Sequence, residues 1–218
     1  EILSEGEIIY VHYGDVHTKF NHFIDFNKFQ LRFISTKQLK TFPLLRDGDL
    51  IMVDASEDYE GLGKSVEVKN LRNKKAISGL HTFLLRDKNN NFANGFKGYI
   101  YSNRLVKNQF DRLATGLKVY GISKNNLKQV LIPLPPKPEQ SAIAQVLSDI
   151  DALIENLDKL IAKKKAIKQG AMQELLTGKR RLPGFTGKWV RKRLGEVGEI
   201  TGAGIDKKIR KSELPVRL

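Results

Sequence analysis

The sequence predicts an α+β fold: a mostly β domain, then one long α-helix that forms an antiparallel coiled coil with a second copy of the chain. Short apolar stretches alternate with turn-forming residues through residues 1–136, which is typical of β structure. Apolar residues recur every seven positions through residues 138–177, which is typical of a helix packed against another helix. We therefore divide the chain into a domain at 1–136, a long helix at 137–178 and a basic tail at 179–218.

Seven short apolar stretches of the first domain are predicted strands. They lie at residues 8–11, 29–34, 50–53, 66–68, 83–85, 118–122 and 130–132. Clusters of Gly, Asn and Asp between them are turn signals. We also expect a helix within residues 96–110 and a shorter one at 125–128, opened by Ser123.

Four prolines between Pro133 and Pro138 predict a rigid elbow before the helix, because proline cannot continue a central strand. Pro138 suits the first helical turn, and we expect Gln140 to reach back in a partial capping box. Gly178 is the permissive residue just past the end. Forty helical residues extend about 60 Å at about 1.5 Å per residue.

The apolar residues of this helix form one stripe, which would lie in water unless a partner helix covers it. The predicted dimer interface consists of Ile143, Val146, Leu147, Ile150, Leu153, Ile154, Leu157, Leu160, Ile161 and Ile167. Lys164 interrupts the stripe and is a candidate for fixing the register.

Charge predicts the direction of the partner helix. Residues 137–158 contain five acids and one base, and residues 159–178 contain five bases and one acid. Two antiparallel copies place each acidic half against a basic half. The same order also suits the helix macrodipole, which is an alternative explanation of the asymmetry.

The formal net charge is +14, which indicates a polyanionic partner, most often nucleic acid and less often an anionic membrane. The excess is +6 in residues 1–136, zero in the helix and +8 in residues 179–218. No apolar run has the length of a membrane span, and the chain has no cysteine, which fits a cytoplasmic location. The absent initiator Met leads us to expect a start inside a longer reading frame or after processing.

The two ends of the helix carry a family likeness. IPLPPKPEQ at 132–140 and ELLTGKRRLPGF at 174–185 resemble the conserved helical region in the specificity subunits of Type I restriction–modification enzymes. In the first domain, YVHYGDVHTKF, GDLIMVDAS, SGLHTFLLR and YGISKNNLKQVLIPLP are similar to phrases of that family's target recognition domains. The tail, KWVRKRLGEVGEITGAGIDKKI, is similar to the opening of such a domain.

The resemblance implies non-catalytic recognition of a double-stranded DNA sequence on behalf of a methyltransferase (modification) subunit and a restriction/translocase subunit. The family usually has two recognition domains and two antiparallel helical regions in one chain, whereas this chain has one of each plus a domain opening. We therefore expect a half subunit or fragment that forms an antiparallel homodimer and binds a palindromic bipartite site. A further hypothesis is that the tail completes the recognition domain of the partner copy.

Candidate DNA contacts follow from charge and from proximity to turns. For phosphates we propose Lys19, Lys37, Lys40, Arg72, Lys74 and Lys75, with a solvated loop face as the alternative. For base edges we propose Tyr13, His17, Ser56, Tyr59 and Lys64. His81 follows a glycine in a core-like strand, where a structural histidine is favoured over a ligand.

Two other classes of function remain open at this point. Charge and heptads alone also suit a coiled-coil scaffold whose β domain binds RNA or protein. Asp54 with Glu67 and Lys69 has the residue types of a magnesium-dependent nuclease, although the spacing is weak evidence. The chain has neither a P-loop nor a methyltransferase Asn-Pro-Pro-aromatic motif, and its four histidines lack ligand spacing, so we expect no cofactor and no metal.

Overall fold

The computed structural model describes residues 2–3, 6–35 and 42–202. The chain divides into two compact units, Glu1–Asn156 and Leu157–Leu218, and the division falls inside the long helix. The first unit contains the strands of the described residues, and the predicted α+β class is confirmed.

Ten strands occur in the described residues. They are β1 (Ile2–Leu3), β2 (Ile8–Val11), β3 (Phe23–Asp25), β4 (Arg32–Ile34), β5 (Leu50–Val53), β6 (Ala55–Ser56), β7 (Ser65–Lys69), β8 (Lys75–Ser78), β9 (Thr82–Leu85) and β10 (Tyr120–Gly121). The helices are α1 (Tyr13–Thr18), a 3-10 helix (Lys97–Ser102), α2 (Arg104–Leu113), α3 (Lys124–Leu127), α4 (Lys137–Leu176) and α5 (Leu194–Val197).

The strands form two four-stranded sheets, with orders β1-β4-β2-β8 and β3-β7-β5-β9, and a two-stranded pair of β10 with β6. The pairs β2–β8 and β3–β7 are parallel, and the others are antiparallel. In the β2–β8 pair, Ile8 lies opposite Lys75 and Val11 lies opposite Ser78. The carboxyl ends of β2 and β8 therefore lie side by side.

Strand β5 is buried on both faces, as its continuous apolar run requires. Ile51 and Val53 belong to a core that contains residues of both four-stranded sheets. Leu50 and Met52 point the other way, as alternate residues of a strand do, into a second core with Phe110 of α2.

Four of the seven predicted strands are recovered to within a residue, and 29–34 and 118–122 are recovered in shortened form. The prediction for residues 130–132 is wrong. There the Leu131 N–H donates to Gln109 Oε1 (2.8 Å) and its carbonyl accepts from Gln109 Nε2 (2.8 Å), so a side chain replaces a strand partner. The sequence did not predict β1, β3, β6, β8, α1 or α5.

The expected helix at 96–110 is two helices, because Asn103 ends the 3-10 helix and caps α2 by accepting from Leu105 N at 2.9 Å. The short helix α3 is confirmed, with the Ser123 hydroxyl accepting from Asn126 N at 3.1 Å.

The long helix α4 contains 40 residues. Gly178, just beyond it, has a φ of +73°, a conformation that glycine adopts without strain. The expected capping box of Gln140 is wrong, because Pro136, the residue before the helix, has no N–H to donate and the Gln140 Oε1 instead accepts from Ala93 N. None of the described helices is long and apolar enough to cross a membrane.

Candidate functional site

A cleft of about 690 Å³ lies between α1, the segment 55–64 and the turn before β9. Four of the five residues proposed for base edges line it: Tyr13, His17, Ser56 and Lys64. The fifth, Tyr59, is half-exposed and stacks on Tyr120 with ring centroids 3.8 Å apart. The structure thus brings together residues from two distant segments of the sequence.

Helix α1 forms one wall of the cleft and is held by its first residues. The His12 Nδ1 accepts from Gly14 N at 3.1 Å and caps the helix. The Tyr13 ring then contacts two imidazoles edge-on, His17 at 6.2 Å and His81 at 5.6 Å between centroids. These three rings give the cleft an aromatic side.

The segment 55–64 forms the opposite wall and folds around Asp58. The Asp58 carboxylate accepts from Gly61 N at 2.6 Å and from the Ser56 hydroxyl at 3.3 Å. A Cβ on Gly61 would lie 2.5 Å from the Ser56 Oγ, so the turn requires glycine. Lys64 donates to the His17 carbonyl at 2.7 Å, which ties the two walls together, and burial lowers the pKa of its ammonium group.

Three carboxylates and a phenol in the cleft were missed by the sequence reasoning. Glu57, Asp58 and Glu60 line it together with Tyr101. Burial and then the charges of Asp111, Asp58 and Glu60 raise the pKa of Tyr101 to about 12, so its hydroxyl remains a neutral donor. The acidic run at 57–60, directly after a short strand, is the sequence signal that points to these carboxylates.

His81 is half-exposed, has a φ of +58° and lies in the turn before β9. The expectation that it occupies a core strand is therefore wrong. Its Nδ1 lies 3.4 Å from Asp54 Oδ1, and its ring lines the cleft.

The basic residues proposed for phosphates lie elsewhere. Lys74 and Lys75 line a separate groove of about 500 Å³, and Arg72 is exposed in the adjoining turn. The Lys74 ammonium donates to the Phe26 carbonyl, and Lys19 pairs with Asp15 at 2.7 Å, so both charges are partly compensated. The predicted residues Lys37 and Lys40 lie outside the described residues.

The cleft and the basic groove lie at opposite ends of the parallel pair β2–β8. Lys75 is the first residue of β8, while His81 follows the last residue, Ser78, by three positions. A strand of this length extends about 10 Å between its first and last residues. The predicted site residues therefore form two groups and not one.

The residues of the nuclease alternative do not form a metal site. The Glu67 carboxylate is buried and accepts from the backbone N–H groups of Gly95 (2.8 Å) and Gly98 (3.0 Å). The Lys69 ammonium lies 3.3 Å from the centroid of the Phe23 ring. Among the described residues, no group of three His, Asp or Glu side chains has a geometry that could hold a metal ion.

The apolar stripe of α4 is largely uncovered. Nine of its ten predicted interface residues are exposed, from 36% for Ile143 to 58% for Val146, and Leu147 is partly buried. Two of the acids on the first half of α4 already contact the domain: Asp151 accepts from the Tyr99 hydroxyl and Glu155 pairs with Lys28.

Comparison with known proteins identifies the relatives of this chain. Residues 63–166 match the family model described as Type I restriction modification DNA specificity domain. A putative type I restriction enzyme MjaX specificity subunit from Methanocaldococcus jannaschii is 31% identical over 131 residues, which are 60% of this chain and 30% of that protein. The type I restriction enzyme MjaVIII specificity subunit from the same organism is 35% identical over 80 residues, 36% of this chain and 19% of that protein.

Solved structures show the same fold. The HsdS subunit from Thermoanaerobacter tengcongensis matches with a TM-score of 0.56 and 20% identity, over 83% of this chain and 45% of that one. A chain from a study of complex assembly and conformational transition of the type I R-M system matches with a TM-score of 0.58 and 20% identity, over 87% and 47%. This chain spans less than half the length of each of these four proteins, and the resemblance found in the sequence is confirmed.

Proposed function

We propose that this chain, a relative of the specificity subunits of Type I restriction–modification enzymes, reads one half of a bipartite DNA site and docks the methyltransferase and restriction subunits. Residues 1–136 are the recognition domain, 137–178 the dimerising helix and 179–218 the opening of a second recognition domain. The carrying observation is the gathering of Tyr13, His17, Ser56 and Lys64 in one cleft of a chain whose residues 63–166 match the DNA specificity family.

The chemistry of the cleft suits base edges better than phosphates. Its exposed carboxylates, Glu57 and Glu60, repel phosphate but accept hydrogen bonds from the amino groups of cytosine or adenine in the major groove. The neutral Tyr101 hydroxyl adds a donor for an acceptor such as guanine O6 or N7. Arg72 and Lys75, about a strand length away, supply the phosphate contacts that position the duplex.

The uncovered stripe of α4 supports a dimer. An antiparallel second copy covers apolar side chains that are otherwise about half-exposed and places two identical recognition domains at opposite ends of the pair. The target is then two identical half-sites in palindromic arrangement at a fixed spacing. Methyl transfer and cleavage belong to the partner subunits in the cytoplasm, and this chain contributes recognition only.

Selection of bound duplexes from a random pool at physiological salt tests the proposal. We expect enrichment of two short half-sites separated by a constant spacer. Glu60→Gln should change the preference at one position of each half-site and cost about 1–3 kcal/mol against the original base, because it adds a donor to an acceptor. Glu139→Gln, which makes the same change at an exposed residue outside the cleft, is the matched control.

Equal retention of random DNA and RNA would favour a coiled-coil scaffold over a specificity subunit. Magnesium-dependent cleavage by the purified chain would instead favour a nuclease. If the wild-type chain selects a site and Glu60→Gln selects the same base sequence, the cleft does not contact the bases.

A further inference from the structure

The first five turns of α4 are packed on the recognition domain. Gln140, Ala144, Asp151 and Glu155 contact it in turn, and all four lie within the first compact unit. At about 1.5 Å per residue these contacts extend over about 22 Å of the helix. A helix held at several levels over this length has a defined direction relative to the domain.

Gln140 is the most completely bound residue of this joint. Its side chain is 1% exposed. Its Oε1 accepts from Ala93 N at 2.8 Å, while its Nε2 donates to Asn91 O at 3.1 Å and to Pro135 O at 2.8 Å. Both amide protons and the carbonyl are thus used, and they join the proline elbow and the loop at 91–93 to the first turn of α4.

The loop that receives Gln140 is itself anchored to the core. Glu67, in the middle of β7, binds the N–H groups of Gly95 and Gly98 with its buried carboxylate. Ala144 packs against Ala93 and Phe96 of the same loop. The loop therefore connects α4 to β7, a central strand of its sheet.

Further along the helix, Tyr99 provides a directional contact. Its hydroxyl donates to Asp151 Oδ2 at 2.8 Å, and its ring packs on His22 and Phe23 with centroids 4.5 and 5.2 Å away. Burial and the hydrogen bond to Asp151 raise the pKa of Tyr99, so the donor remains protonated. The exposed pair Lys28–Glu155 adds a contact at 3.1 Å that we expect to contribute little.

We infer that Gln140 and the Tyr99–Asp151 pair are positioning residues that set the spacer length of the bipartite site. The inference rests on the proposed function, because a spacer exists only if two recognition domains bind one duplex. A tilt of about 10° at the joint moves a point about 30 Å along the helix by about 5 Å, and B-DNA advances about 3.4 Å per base pair. A chain with a loosened joint should therefore also bind sites whose spacers are one or two base pairs longer or shorter than the preferred spacer. The base sequence of the half-sites should stay the same.

The test uses the full chain and duplexes with the selected half-sites at varied spacing. Tyr99→Phe removes one hydroxyl, and we expect its discrimination against spacers one base pair longer or shorter to fall by about tenfold, the lower end of the range for a hydrogen bond to a charged group. Asp151→Ala should lower the discrimination between spacers to a similar extent. Asp151→Asn keeps an acceptor for the Tyr99 hydroxyl and should retain the wild-type spacer preference. Gln145→Ala, an exposed residue of the same helix, is the matched control.

A second readout does not depend on DNA. The chain has no cysteine, so Asn89→Cys and Asn156→Cys place two unique spin labels, one on the domain and one on α4. Diluted with unlabelled protein, the labelled chain should give a narrow distance distribution that broadens in Tyr99→Phe and in Gln140→Leu. Circular dichroism separates broadening from unfolding, and Tyr99→Phe remains informative if Gln140→Leu does not fold.

Each outcome decides a separate point. Unchanged spacer preference and unchanged distances in Tyr99→Phe and Asp151→Ala would overturn the inference. Changed half-site letters in these variants would also overturn it, since they would place the residues in base reading. A wild-type chain that selects no duplex refutes the proposed function, and the label distances then decide alone whether the joint is rigid.

Discussion

Leu157→Ala tests whether the apolar stripe of α4 pairs with a second copy. The Leu157 side chain is 48% exposed, so about half of its surface remains to be covered. The substitution removes three carbon atoms, worth about 0.8 kcal/mol each when fully buried and about 1.2 kcal/mol in total for the half that pairing covers. Because a twofold dimer contains the change twice, we expect association to weaken by about 2.4 kcal/mol, or roughly 60-fold in the dissociation constant.

Sedimentation equilibrium over a concentration series measures this dissociation constant directly. Gln169→Ala is the matched control, because Gln169 is exposed on the same helix and lies outside the apolar stripe. Equal dissociation constants for Leu157→Ala and Gln169→Ala would refute the reasoning. A wild-type chain that stays monomeric at every concentration would refute the dimer itself.

Two further predictions concern the basic groove and the core. Lys75→Ala should weaken binding to all duplexes alike and lower the slope of log affinity against log salt concentration by about 1, as measured by fluorescence anisotropy across a salt series. An unchanged slope would remove the groove from the DNA-contacting surface. Arg86→Ala should lower the free energy of unfolding in urea by about 3 kcal/mol, because the buried Asp49 loses two charged donors, Nε at 2.8 Å and Nη2 at 2.6 Å. Lys88→Ala is the control for both, and a loss below about 1 kcal/mol in Arg86→Ala would show that the pair behaves as a surface salt bridge.

The long helix was predicted at residues 137–178 and occupies Lys137–Leu176, so its start agrees and its end lies two residues earlier. Its heptads, the prolines before it and Gly178 after it are local signals that agree with one another. Strands such as β3 and β8 have three or four residues and little alternation, so their pairing is decided by contacts distant in sequence. Helix α1 contains Gly14 and has only six residues, and tertiary packing stabilises it more than propensity does.

The residues of the candidate cleft were predicted only in part, because some of them have a local signal in the sequence and others do not. Tyr13, His17, Ser56 and Lys64 lie in or beside turns, and turn residues supported by a β scaffold can converge in space, as these four do in the cleft. Their contact with base edges stays a prediction. Tyr101 reaches the cleft from the 3-10 helix, and no local pattern indicates that approach.

The joint between α4 and the domain shows most clearly what local sequence patterns cannot predict. Gln140 fitted a local capping pattern, yet its side chain binds a loop 47 residues earlier in the chain. A helix-start pattern cannot tell whether Gln140 binds the start of its own helix or a distant loop, because both partners require a side-chain amide at the same position. The departure from the local rule marks the residue to which we assign a positioning role.

Tyr99 and Tyr101 lie two residues apart on the 3-10 helix, yet one belongs to the joint and the other to the cleft. The two sets of contacts have no residue in common. Under the proposed function, substitutions in the segment 55–64 should therefore change the recognised half-site sequence without changing the preferred spacer length. The half-site sequence and the spacer length can then be altered separately, by substitutions in two different sets of residues.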